Sequence, residues 1–78
     1  KSQKTLWGSC SSSNNLNFNY LLIMAPMSVI DYVIVHELSH TIHKNHSSDF
    51  WGLVEAILPE YKSAKKWLKD NGHKLKRL

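Results

Sequence analysis

The chain of 78 residues has one cysteine, two prolines, three glycines and no apolar run of membrane-spanning length. Each scarcity excludes something. Cys10 stands alone, so no intrachain disulfide can form, which favours a reducing, cytoplasmic setting. The longest nearly uncharged apolar stretch, residues 20–30, is too short to cross a bilayer and contains Pro26, so no membrane span is expected. There is no internal repeat, no low-complexity tract and no visible signal peptide. Acidic residues are few, six against ten Lys and Arg, giving a net charge of +4. The excess is local, because seven of the ten basic residues lie from Lys62 onward. Lys62, Lys65, Lys66 and Lys69 read first as a solvated helix face, and second as a surface for nucleic acid or an acidic partner.

Hydrophobic residues make up 42% and charged residues 21%, a folded composition rather than a disordered one. The length allows one domain, residues 1–78, with a thin core. The chain begins Lys-Ser-Gln without Met, which suggests a piece of a longer protein.

Residues 5–10 (TLWGSC) are β-prone and residues 11–15 (SSSNN) are turn chemistry. Residues 16–24 (LNFNYLLIM) open with strict alternation, Leu16, Phe18 and Tyr20 against Asn17 and Asn19, the pattern of a half-buried strand. Together they predict a β-hairpin that must pack on other elements. Ser28 and Asp31 form a capping-box variant, and a helix should run from Val29 to about His43. Its apolar residues (Val29, Ile30, Val33, Ile34, Val35, Leu38 and Ile42) nearly encircle it, the mark of a buried helix. Asn45 can take the left-handed conformation that ends helices. Ser47 or Ser48 can cap a second helix carrying Phe50, Trp51, Leu53, Val54, Ile57 and Leu58 up to Pro59. A third helix is expected over residues 60–71, with Tyr61, Ala64 and Leu68 on one face and Gly72 ending it. The fold class is therefore α+β: an N-terminal β-hairpin packed on a buried helix, followed by two further helices.

That central helix carries His36-Glu37-Leu38-Ser39-His40. Two imidazoles four residues apart lie on one helix face, with Cβ atoms about 5–6 Å apart, and can converge on one ion. Glu37 is rotated by about 100° from His36, badly placed as a ligand but able to lean over an open coordination position. There a carboxylate can take a proton from a zinc-bound water and hand it to a leaving amine. This is the arrangement of zinc peptidases. The blander reading is two buried histidines and a paired Glu, but three ionisable groups on an apolar helix would be costly without partners.

A hydrolytic zinc site takes three protein ligands. His43 shares the face of His36 and His40 but, on a continuing helix, lies about 10.5 Å along the axis from His36. His46 lies beyond Lys44-Asn45, where the chain can return. Its separation of ten residues from His36 equals that in the metzincin pattern, with His43 standing where that pattern has Gly. His46 is the favoured third ligand, with His43 reading as a surface or supporting residue. Asp49 and Glu55 are weaker candidates. Cys10 reads as a buried, inert thiol, although thiolates are good zinc ligands. Trp51 and Trp67 read as core, and His73 as exposed.

With HELSH, the HKNHSSDFW that follows, the upstream WGSCSS, LNFNYLLIMAP and VIDYVIVHE, and the KKWLKDNG ending all in view, the chain closely resembles the C-terminal catalytic part of the YgjP-like zinc metallopeptidases. The match covers nearly all of residues 5–72. More distantly it is similar to SprT-like and minimal gluzincin-type peptidases. The resemblance implies Zn2+ on His36, His40 and His46, Glu37 as catalytic acid/base, and peptide or protein substrates. It also implies that a strand-rich N-terminal region of the family precedes this segment. An edge strand at residues 7–10 or 17–20 could align a substrate backbone. The alternative is a non-catalytic, zinc-stabilised module that binds nucleic acid or protein through residues 62–77.

Overall fold

The computed structural model describes residues 7–76. β1 (Gly8–Cys10) and β2 (Leu16–Phe18) pair antiparallel, with Gly8 opposite Phe18 and Cys10 opposite Leu16. The connecting turn uses Asn14 at φ 64°, a conformation that Asn tolerates better than most residues. Three helices follow: α1 (Met27–Ser39), α2 (Ser48–Ile57) and α3 (Tyr61–Lys76). The fold is α+β, a hairpin and three helices, with the histidines brought together in a zincin-like arrangement.

Of the expected strand over residues 16–24, only Leu16–Phe18 is strand. From Tyr20 to Met24 the chain turns into a short 3-10 helix. Asn19 explains the change: its side-chain oxygen accepts from the Leu21 N–H, so a residue read as the polar side of a strand is an N-cap. Leu22 is thereby buried, while Tyr20 and Ile23 stand more than four-fifths exposed.

The core joins Leu22 and Ala25 to Val29, Tyr32 and Val33 of α1, Phe50 and Val54 of α2, and Tyr61 and Ala64 of α3. Phe50 and Val54 are fully buried. Ser47 caps α2, its hydroxyl accepting from the Phe50 N–H. α1 is central, as expected, but not buried all round. Val29, Tyr32, Val33 and Glu37 face the interior, whereas Met27, Ile34 and Leu38 are exposed. A two-strand sheet and two helices cover only part of its circumference.

Three boundaries differ from expectation. α1 starts at Met27 behind Pro26, with no side-chain cap from Ser28, and stops at Ser39 rather than near His43. α3 runs through Gly72 to Lys76. Gly72 is there for space: a Cβ at this position would sit 3.2 Å from the Trp7 ring. Asn45 does not adopt the left-handed conformation expected of it.

Candidate metal centre

His36 and His40 lie one turn apart at the C-terminal end of α1, His40 being the residue just past the helix. The helix ends here for local reasons. The Thr41 hydroxyl donates to the Leu38 carbonyl at 2.6 Å, and the N–H groups of His40, Thr41 and Ile42 each bond back only three residues. Such tight bonds close a helix rather than extend it. The chain then returns toward α1. Lys44 fastens this return to the hairpin turn, its ammonium donating to the Ser11 carbonyl and to Asn14 Oδ1. Ser47 then starts α2, so residue 46 is held between two anchored points.

The result brings three imidazole nitrogens together. His40 Nε2 lies 3.2 Å from His46 Nε2, which lies 3.3 Å from His36 Nε2. Ligands about 2.0–2.1 Å from a tetrahedral ion are spaced by about 3.3–3.4 Å, so the donor set fits a zinc-sized cation. His36, His40 and His46 are the group of His, Cys, Asp and Glu side chains among the described residues that could hold a metal ion.

The outer nitrogens support that orientation. His40 Nδ1 lies 2.9 Å from the His43 carbonyl. A carbonyl only accepts, so Nδ1 carries the proton and Nε2 of the neutral ring keeps its lone pair toward the cluster. His36 Nδ1 lies 3.3 Å from the Tyr32 hydroxyl. Phe50 floors the site, its ring stacked on His40 at 4.4 Å between centroids and edge-on to His36 and His46. Trp51 walls it, stacked with His46.

His43 does not join the cluster, but the distance argument is overturned: the helix has already ended before it. His43 serves instead through its backbone carbonyl, which orients His40. Cys10 is half-buried, with its thiol donating to the Ser11 carbonyl, and it too lies outside the cluster. Asp49 and Glu55 are exposed and outside it, and His73 is exposed.

Glu37 is 6% exposed and packs against β1. A Cβ on Gly8 would lie 2.9 Å from Glu37 Cγ and 3.1 Å from its Oε2. The missing side chain of Gly8 is therefore the room that the Glu37 side chain occupies. Burial raises the Glu37 carboxyl above its ordinary value, with His40 opposing. Sequence reasoning missed Gly8, Tyr32, Lys44 and Phe50. The glycine inside a β-prone run was the available signal, since such a residue often marks a close backbone approach.

Burial, and then the positive charge on His40, His46 and Lys65, pushes His36 down to about 4. Burial, His40 and Lys65 also lower His46. A folded value below the unfolded 6.5 means that the unfolded chain binds more protons between the two. The His36 contribution is thus complete above pH 6.5 and is lost as pH falls toward 4. Glu37, raised, acts oppositely: its contribution is present at low pH and lost as pH rises through its folded value. Of these three shifts that of His36 is the large one, so the sum follows its sign. Urea titrations of the metal-free protein should show a loss of about 1–3 kcal/mol between pH 7 and pH 4.5. A flat profile would contradict the burial of His36.

Three imidazoles gathered at the end of a helix, with a buried carboxylate beside the first of them, define a site of the metal-dependent peptidase class. The comparison with protein families agrees. The model described as YgjP-like, metallopeptidase domain, matches residues 1–71, and the chain belongs to this family. No curated protein and no solved structure matches it significantly. Among the described residues, no helix is long and apolar enough to cross a membrane.

Proposed function

We propose that the protein is a zinc-dependent metallopeptidase in which His36, His40 and His46 hold the ion and Glu37 is the catalytic acid/base. The observation that carries this reading is the spacing of the three Nε2 atoms, 3.2 and 3.3 Å, beside a buried carboxylate. Zinc suits an all-imidazole donor set. When bound, it supplies Lewis-acid polarisation of a carbonyl and acidification of water. Glu37 takes one proton from the attacking water as its oxygen adds to the peptide carbonyl. It returns that proton to the amine nitrogen as the C–N bond breaks. The raised carboxyl of Glu37 suits a group that must both accept and release a proton near neutrality. Tyr32 and the His43 carbonyl orient the ligand rings.

Among the described residues the cluster offers three donors rather than four, which favours an open, reactive site over the closed site of a structural zinc module. The test is cleavage of an unstructured protein by the zinc-loaded chain. Cleavage that stops with a chelator and returns with zinc supports the reading. Full metal occupancy without cleavage of any peptide removes it.

A further inference from the structure

The function just proposed leaves the substrate open, and the basic face of α3 narrows it. That face is not remote from the metal centre. The Lys65 ammonium sits over the Trp51 ring, 4.3 Å from its centroid. The same ring stacks on His46 at 5.9 Å and meets His36 edge-on at 5.7 Å. Trp51 is thus shared by the two histidines, by Tyr61 stacked on it at 5.4 Å, and by the Lys65 head held over the ring by cation–π attraction. Lys65 is close enough for its charge to lower both His36 and His46.

Beyond Lys65 the surface continues as a groove of about 440 Å³ lined by Tyr61, Lys62, Lys65, Lys66, Lys69 and Asp70. Asp70 is already engaged, 2.7 Å from Lys66. Among the described residues, no carboxylate lies within ion-pair distance of Lys62, Lys65 or Lys69. Four lysines therefore face one carboxylate in this groove, Lys62, Lys65 and Lys69 make no ion pair there, and Lys65 lies over the Trp51 ring that borders the metal site. A merely solvated lysine face does not require that anchoring.

Resting on the peptidase reading, we infer that Lys65, with Lys62 and Lys69 behind it, selects peptide substrates carrying an acidic side chain close to the bond to be cleaved. Lys65 is a specificity residue and has no part in the proton transfers. A peptide is favoured over nucleic acid because the groove is short and is joined to the metal centre through Lys65 and the Trp51 ring, which touches His36 and His46. A long polyanion would gain most from an extended stripe instead.

Two peptides differing only in Glu or Gln near the cleaved bond test this. The Glu peptide should show a kcat/KM higher by about fivefold at low salt, the scale of an exposed charge pair. The preference should shrink at high ionic strength. Lys65→Glu should abolish or reverse it, read as the Glu/Gln ratio within each variant, and Lys65→Arg should restore it. Equal rates on both peptides in the unaltered protein would overturn the proposal. So would a preference that Lys65→Glu leaves intact, or tighter salt-sensitive binding of a single-stranded oligonucleotide than of the Glu peptide. If neither peptide is cleaved, the peptidase reading fails instead. Fluorescence anisotropy of labelled Glu and Gln peptides on the zinc-loaded protein, with and without Lys65→Glu, still decides the groove by the same fivefold criterion.

Discussion

Replacing His46 with Ala should lower zinc affinity by about a hundredfold to a thousandfold. The scale follows from sharing the roughly 10–16 kcal/mol of a four-ligand zinc site among its ligands. Replacing His43 with Ala should leave affinity within about threefold. His43 contributes a backbone carbonyl to the centre, and alanine keeps that carbonyl. The contrast is sharp because the two residues are three apart in one loop and chemically identical. Titration with zinc against a competing chelator measures both. Proline at position 43 would be more damaging than alanine, since the His43 N–H bonds to the Ser39 carbonyl at 2.9 Å and proline has none to give. Equal loss from His43→Ala and His46→Ala would show that the loop, rather than the His46 nitrogen, is what matters.

The second large effect is expected from Glu37→Gln. The substitution keeps size and removes the ability to accept a proton. Turnover should fall by about 10²–10⁴, the usual worth of a positioned general acid/base, with metal content unchanged. Stability of the metal-free protein at neutral pH should rise, because the buried charge is disfavoured where it sits. Loss of rate with gain of stability is the signature of a group kept for chemistry. Gly8→Ala approaches the same carboxylate from the strand. Its Cβ would meet Glu37 Cγ and the Asn17 carbonyl, so either the side chain or the strand must move. The rate should drop while zinc affinity holds. If Glu37→Gln leaves turnover unchanged, Glu37 has no place in the mechanism.

Much of this site could be read from residue spacing. HELSH is legible because four residues make one helical turn, and His46 because a chain that reverses after His40 must present something from the side. The reason for passing over His43 was not legible in the same way. Apolar periodicity continued to Ile42, and nothing in it marked the Thr41 hydroxyl as a competitor for a helix carbonyl. The helix therefore looked four residues longer than it is. The strand at residues 16–24 failed for a related reason: alternation in Leu16, Phe18 and Tyr20 concealed that Asn19, its N–H still bonded to the Trp7 carbonyl, would cap the turn that ends the strand. Gly72 was read as a stop by its helix propensity, whereas the Trp7 ring packed against it is a tertiary fact. The shared wall of Trp51 was also out of reach. Its helical spacing spoke for core, and only the return of His46 shows that one face of the ring belongs to the metal centre.

On the proposed reading three imidazoles hold one ion and leave a place open. X-ray absorption at the zinc edge of the stoichiometric complex tests it directly. Three nitrogen scatterers at about 2.0–2.1 Å with an imidazole pattern, plus one oxygen, are expected. A sulfur scatterer at about 2.3 Å, which would bring in Cys10, or four protein ligands with no oxygen, would contradict it.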